Sequence, residues 1–600
     1  MLSFLLKLRT RAQTLFRLSD AHTMLIWSVI AGISGAFATI LFREGIDTIQ
    51  RLFSGASGSF VEMARRLPWH MRIWMPAAGG FLAGCVLLAA QRGSAKQAGG
   101  ADYMEAVALG DGIVPVRQSL WRSASSLLTI GSGGSIGREG PMVQLAALAA
   151  SLVGRLARFD PPRLRLLVAC GAAAGITSAY NAPIAGAFFV GEIVLGAISM
   201  ESFGPMLVAS VVANITMREF AGYKPPYEMP VFPAVTGVEV LAFVALGLLW
   251  GGGGGAGPGV VLVALVALGF LCGAPAPQFL RLLAASKSRF RRLPVPVPVR
   301  LALGGLAVGI ISVWVPDVWG NGYSVVNSIL HSSWTWQALV IVLLCKLLAT
   351  AATSGSGAIG GIFTPTLFVG AAGGALFGLG MQALLPGHVS AAYAYAIVGM
   401  GAFLAGATQA PLMAIIMIFE MTLSYQVVLP LMVSCVVAYF AARALGQTSM
   451  YEITLRRHRE EEERLRLKAT QMRALIQPAQ TVVRPEASVA EMTRVFLEYP
   501  VKYLYVSDEA GHFRGAVALK DITSDLLEGR DTQHKSAADY AHTPFPLLTP
   551  DMSLGTALGH FMCFQGERLP VVESTQAPVL AGVVYKTSLL DAYHRLNGNR

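Results

Sequence analysis

Between Leu347 and Phe419 the chain carries no Asp, Glu, Lys or Arg, and His388 is the one side chain there that titrates near neutrality. A run of that length holds roughly three membrane spans of about 20 residues each. In water it would expose apolar patches far larger than soluble monomers tolerate. The whole chain is only 14% charged and 54% hydrophobic, against about 25% charged for soluble domains. Further candidate spans are Met24–Phe42, Met75–Ala90, Leu241–Leu271, Leu301–Val315 and Leu339–Cys345 with its extension. Several apolar stretches are short or cut by Gly and Pro. The expectation is an all-α polytopic membrane protein with broken helices.

The net charge of +11 sits at the flanks of these spans. Lys7, Arg9, Arg11 and Arg17 precede the first. Lys287, Arg289, Arg291 and Arg292 cluster in a loop. Arg443, Arg456, Arg457 and Arg459 follow the last. The positive-inside rule makes these flanks cytoplasmic, which predicts a multi-pass membrane protein with both termini inside. The charge is read as meeting anionic lipid, not nucleic acid. No cleavable signal peptide is expected, since the first 20 residues are basic and lack a small-residue cleavage site. Six cysteines fall in no CxxC pattern, and five lie in apolar segments. They are read as packing residues rather than disulfides or metal ligands.

Composition breaks near residue 455. A charged segment, "RRHREEEERLRLK", reads as a linker over 456–471. Beyond it the chain looks soluble and repeats itself. Pro485 matches Pro550, Ser488 matches Ser553 and Leu504 matches Leu569; after a short insertion Gly515 matches Gly582. Each unit reads strand, helix, strand, turn, strand, helix. This α/β tail resembles a tandem CBS pair, a Bateman module, with motifs over 472–530 and 537–598. In that family a G-x-x-T-x-x-D pattern holds the ribose of an adenine nucleotide. The first copy keeps Asp521 but has Ala518 in place of Thr, and the second has Ser588 in place of Asp. The departures favour a structural or dimerisation role, with no cofactor expected.

The membrane part, residues 1–455, repeats as well. "GAAAGITSAYNAPIAGAFFVGEIV" from Gly171 parallels "GMGAFLAGATQAPLMAIIMIFEMT" from Gly399. Ala182-Pro183 matches Ala410-Pro411, and Glu192 matches Glu420. Pro141 and Pro365 follow glycine-rich turns at a similar offset. Duplicated halves, about 20–220 and 235–455, with interrupted spans point to a transport protein whose site lies between the repeats.

Three glycine-rich turns precede apolar helical sequence: "AGGADY" at 98–103, "GREGP" at 137–141 and "GGIFTP" at 360–365. A helix start carries free N–H groups and a partial positive charge. Inside a membrane those groups need partners, and an anion is a good one. Proline is tolerated in a first helical turn. The residues therefore predict an intramembrane anion site built from backbone amides. Rings of acid that would mark a cation pore are absent. From Ser123 to Gly154 the only charges are Arg138 and Glu139, side by side between glycines.

"GREGP" with the following "MVQ", "GIFTP" at 361–365 and the duplicated halves resemble the ClC family of chloride channels and chloride/proton exchangers, nearest the bacterial ClcB-type branch. The resemblance covers about residues 20–455. It implies an inverted-repeat fold and a homodimer with one pathway for chloride or other small anions in each subunit. Glu139 would be the gating glutamate. Backbone N–H groups of Arg138, Glu139 and Gly140 would line its region, and those of Ile362 and Phe363 would face the central ion. Tyr451 in "TSMYEI" would cap that ion with its hydroxyl, a neutral donor.

Two positions depart from the family pattern. The serine that usually reaches the central anion falls at Gly99 or Gly100, which have no hydroxyl; nearby Asp102 reads as a helix N-cap. The inner proton-loading acid falls at Ile193, which cannot carry a proton. Glu192 precedes it, about 100° round a helix, and so faces structural partners, as Glu420 does in the other half. The expectation is a channel-like chloride pathway and not an enzyme. The alternative is a chloride/proton antiporter that bypasses Ile193.

Overall fold

The computed structural model describes residues 20–598, except 56–57, 93–101, 109, 223–226, 229, 231–257, 387–388, 447–448, 452–471, 533, 565, 575 and 577. The basic N-terminal flank, Gly99 and Gly100, part of the Leu241–Leu271 span and the charged linker lie outside the described residues. The chain divides into two units, Met1–Leu455 and Arg456–Arg600.

The first unit is helical. Its first half holds α1 Asp20–Ser54, α2 Phe60–Arg66, α3 Trp69–Arg92, α4 Tyr103–Ala108, α5 Val116–Gly131, α6 Glu139–Leu156, α7 Pro161–Tyr180, α8 Pro183–Phe189 and α9 Met200–Ala221. Its second half holds α10 Pro258–Gly273, α11 Pro275–Arg292, α12 Val297–Trp314, α13 Tyr323–His331, α14 Trp336–Gly355, α15 Phe363–Leu384, α16 Ala392–Thr408, α17 Pro411–Thr422 and α18 Val428–Leu445. Among the described residues, eight stretches are long and apolar enough to cross a membrane. The uncharged run is not three equal spans. It gives one 22-residue helix, α15, then α16 and α17 of 17 and 12 residues. Pro411 and the left-handed Gln409 break the last two apart.

The two halves repeat each other in geometry. Asn181 and Gln409 end α7 and α16 at φ 60° and 59°. Ala182 and Ala410 then take near-identical angles, φ −126°, ψ 83° and φ −131°, ψ 77°, before Pro183 and Pro411 open the next helices. Gly171 packs against the Ala146 carbonyl, and its counterpart Gly399 against the Gly370 carbonyl. A β-carbon at either glycine would come within 2.7 Å or 2.5 Å of that oxygen. Small residues let these helices approach backbone to backbone, the usual basis of packing in lipid.

The second unit is α/β. Its first motif runs β1 Val482–Val483, α19 Val489–Glu498, β2 Tyr503–Ser507, β3 Phe513–Ala518 and α20 Leu519–Leu527. After α21 Ala537–Tyr540 and β4 Ala541–His542 comes the second, α22 Leu554–Met562, β5 Arg568–Val572, β6 Leu580–Tyr585 and α23 Lys586–Gly598. Ser488 and Ser553 cap α19 and α22 in the same way, each accepting from the amide three residues on. Ala516 of β3 pairs with His542, and Val583 of β6 pairs with Gln477. Each sheet is thus completed by the segment that precedes the other motif.

Candidate functional site

The site lies where the two halves meet. The turns before α6 and α15 pair as a short antiparallel bridge: Gly137 donates to the Gly361 carbonyl at 2.7 Å, and Gly361 donates back at 2.8 Å. Both turns are glycine because the chains touch. A β-carbon at Gly361 would stand 3.1 Å from both the Gly140 nitrogen and a Glu139 carboxylate oxygen. The first intrahelical bonds are Met142 N–H to the Arg138 carbonyl and Thr366 N–H to the Ile362 carbonyl. The amides of Glu139, Gly140, Phe363 and Thr364 therefore belong to opening turns, which have no carbonyl within the helix to bond. The structure brings Arg138, Glu139, Gly140, Ile362 and Phe363 together at this seam.

Glu139 is only 2% exposed. Its Oε1 accepts a hydrogen bond from the Tyr323 hydroxyl at 2.7 Å and another from the Thr364 hydroxyl. Its Oε2, packed against Gly137 and Gly361, receives no hydrogen bond from the described residues. The Tyr180 hydroxyl lies 3.1 Å from Thr364 Oγ1. The Arg138 guanidinium stands over the Tyr323 ring, 5.1 Å from its centroid, and Tyr227 meets the same ring edge-on at 4.9 Å.

Aromatic side chains carry the site onward from Thr364. Tyr180 packs on Phe363 at 5.1 Å, Phe363 on Phe189 at 6.3 Å, and Phe189 on Tyr451 at 5.6 Å. Tyr451 is held by its own segment. Met450 N–H donates to the Ala407 carbonyl and the Ser449 hydroxyl to the Thr408 carbonyl, at the end of α16.

The remaining predicted residues fall as follows. Asp102 accepts from Met104 N–H at 3.2 Å, as an N-cap does. Ile193 is buried, 1% exposed, in the π-helical turn Val190–Leu195 that continues α8. Glu192 points away into the second half and accepts from the amides of Leu412 and Met413 at 3.3 and 2.7 Å. Glu420 returns the interaction, accepting from Ile184 and Ala185 at 2.9 and 2.7 Å. Asp521, in the tail, is engaged by His542 Nε2 at 2.5 Å.

Sequence reasoning passed over Tyr323 and Thr364. Thr364 stands inside "GGIFTP", where a hydroxyl carries no local signal of its distant partner. Tyr323 lies in "WGNGYS" at 319–324, a fourth glycine-rich turn that opens a helix. It mirrors "AGGADY", which ends on Tyr103 at the start of α4. The repeat itself was the signal that would have found it.

Residues 79–256 and 258–443 match the sequence profile described as "Voltage gated chloride channel". A ClcB-like chloride channel protein of Ralstonia nicotianae is 53% identical over 446 residues, 74% of this chain and 99% of that protein. The voltage-gated ClC-type chloride channel ClcB of Salmonella typhimurium is 40% identical over 71% of this chain and 97% of its own. Among solved structures, a slow cyanobacterial Cl−/H+ antiporter superposes with a TM-score of 0.62 at 24% identity, covering 74% of this chain and 99% of that one. A eukaryotic CLC transporter superposes with a TM-score of 0.56 at 16% identity, over 95% of this chain and 99% of that one. These two likenesses establish the fold.

Proposed function

Because the chain belongs to the voltage-gated chloride channel family, we propose that it carries chloride across a bilayer by a channel-like path that Glu139 gates. The observation that supports this most is the buried carboxylate of Glu139, seated at two helix starts that are paired through Gly137 and Gly361. Helix starts favour negative charge, and a charged carboxylate there stands in the place an anion would take. Burying such a charge unpaired in a membrane is costly. Glu139 therefore has two stable options: stay as the anion mimic, or take a proton and swing clear for chloride.

The channel-like reading rests on Ile193, which offers no proton-accepting atom at the position where an exchanger of this family has its inner acid. We also take the protein to be an inner-membrane homodimer with both termini cytoplasmic and one pathway per subunit. The tail is read as a CBS pair with a structural role, since Asp521 is engaged by His542.

Purified protein in liposomes tests the reading. Replacing Glu139 with Gln should raise chloride efflux at neutral pH and remove its acid stimulation; unchanged efflux and pH response would refute the gate. Imposing a pH gradient at fixed chloride should leave the reversal potential unmoved. A shift would instead establish proton-coupled exchange.

A further inference from the structure

Tyr323 and Thr364 hold a carboxylate, and the hydrogen-bond inventory says which form of it they suit. An ionised carboxylate only accepts, while each hydroxyl has a single proton to give. Tyr323 donates to Glu139 at 2.7 Å, and Thr364 donates to the same oxygen. Tyr180, 3.1 Å from Thr364 Oγ1, can then donate to Thr364. With Tyr180 donating in that sense, all three hydroxyl protons run toward Glu139. A protonated Glu139 would leave Oε1 a weaker, uncharged acceptor, and its Oε2 has no partner among the described residues to take the proton.

Tyr323 is also fixed from behind. Gly322 precedes it at φ 101°, and the Asn321 side chain accepts from the Tyr323 amide at 3.3 Å. Lys346, 1% exposed, donates its ammonium to the carbonyls of Val318 and Gly320 at 2.9 and 2.7 Å. That turn leads directly into Tyr323. Arg138 over one face of the ring and Tyr227 at its edge restrict the ring itself. The hydroxyl therefore has a fixed address, and Glu139 is the group that moves.

We propose that Tyr323, assisted by Thr364, is a latch that retains the Glu139 carboxylate in the pathway and sets how readily chloride displaces it. The proposal rests on Glu139 being the gate. Among the described residues, the titratable and charged groups that face Glu139 are Arg138, Tyr180, Tyr227, Tyr323 and Tyr451, with Lys346 behind the turn. The tyrosines and Arg138 keep one charge state between about pH 4.5 and about pH 7.5. A Glu139→Ala background separates an effect carried by Glu139 from one carried by Lys346.

The test is chloride efflux from liposomes at those two pH values. Tyr323→Phe removes one oxygen and keeps the ring. It should raise efflux at the higher pH by about tenfold or more, the order of one hydrogen bond to a charged group, and reduce the acid-to-neutral ratio accordingly. Thr364→Val, of the same shape, should act in the same direction. Adding Tyr323→Phe to Glu139→Ala, which has no acceptor for the hydroxyl, should change nothing further. The latch is refuted if both single variants, eluting like the parent on gel filtration, keep its efflux and pH ratio. It is equally refuted if Tyr323→Phe alters Glu139→Ala by the factor it alters the parent, because the ring would then act on the path without the Glu139 carboxylate. If E139Q alone behaves as the parent, the gate reading falls and the latch with it.

Discussion

At matching places in the two halves stand Glu139 and Phe363, each the first residue of its helix. One half supplies a charge that can compete with an anion, and the other an apolar side chain that cannot. The paired turns and the opening amides were legible in the sequence, because glycine spacing and the following proline are local signals. The grip on Glu139 was not, because Tyr323 and Thr364 come from the other half, and the first of them lies 184 residues away. The tail offers a clearer electrostatic case. Asp525, 7% exposed, accepts from Lys535 at 2.5 Å and from the Tyr540 hydroxyl at 2.7 Å. These two hydrogen bonds hold its carboxyl below the ordinary range, and the bond to Asp525 holds the Lys535 ammonium above its own. The Asp525 contribution to stability is fully present above the unfolded carboxyl's value, about 3.9, and is lost as pH falls through the depressed folded value. That of Lys535 is fully present below about 10.4 and is lost as pH rises through its raised folded value. Hydrogen exchange of β2 and β3 in the full chain should therefore accelerate in strong acid, and Asp525→Asn should flatten that acid dependence.

The short helices after Asn-Ala-Pro and Gln-Ala-Pro are too brief to be stable by themselves. α8 has 7 residues before its π turn, and α17 has 12. Each begins with proline, which fits the first turn but adds no donor. What completes them is a carboxylate from the opposite half: Glu420 on the amides of Ile184 and Ala185, and Glu192 on those of Leu412 and Met413. The sequence showed the duplicated acids and, by the angle between neighbours on a helix, that Glu192 does not face where Ile193 does. It did not show that the acids cross over, since periodicity within one segment carries no information about its partner. Replacing Glu192 with Ala leaves two amide donors without their acceptor, and each unsatisfied buried group costs roughly 1–3 kcal/mol. Thermal unfolding in detergent should fall measurably for Glu192→Ala and for Glu420→Ala. Glu192→Gln, which keeps one acceptor oxygen, should lose less.

The 446 matched residues account for 99% of the Ralstonia relative but 74% of this chain, so about a quarter of this chain has no counterpart there. The described chain also divides after Leu455 into two separately packed units. Deleting 456–600 should accordingly leave a folded membrane unit whose chloride efflux per protein stays within about twofold of the parent, as independently packed domains permit. A greater loss, with the protein still monodisperse, would give the tail a part in transport. The broad architecture was legible because charge depletion, flanking arginines and two sets of repeats are long-range statistics of composition. The lengths of individual spans were not, because breaks at Gln409-Ala410-Pro411 depend on backbone angles that an apolar run conceals.

The crossed carboxylates have a further consequence for how such a chain is put together. A first half standing alone would present the opening amides of α8 without an acid, and the acid of Glu192 without amides. Two copies of one half inserted in opposite senses would match both at once. The second half stands in for that second copy, so neither half is a finished object, and joining them in one polypeptide fixes a meeting that separate pieces would have had to find in the bilayer.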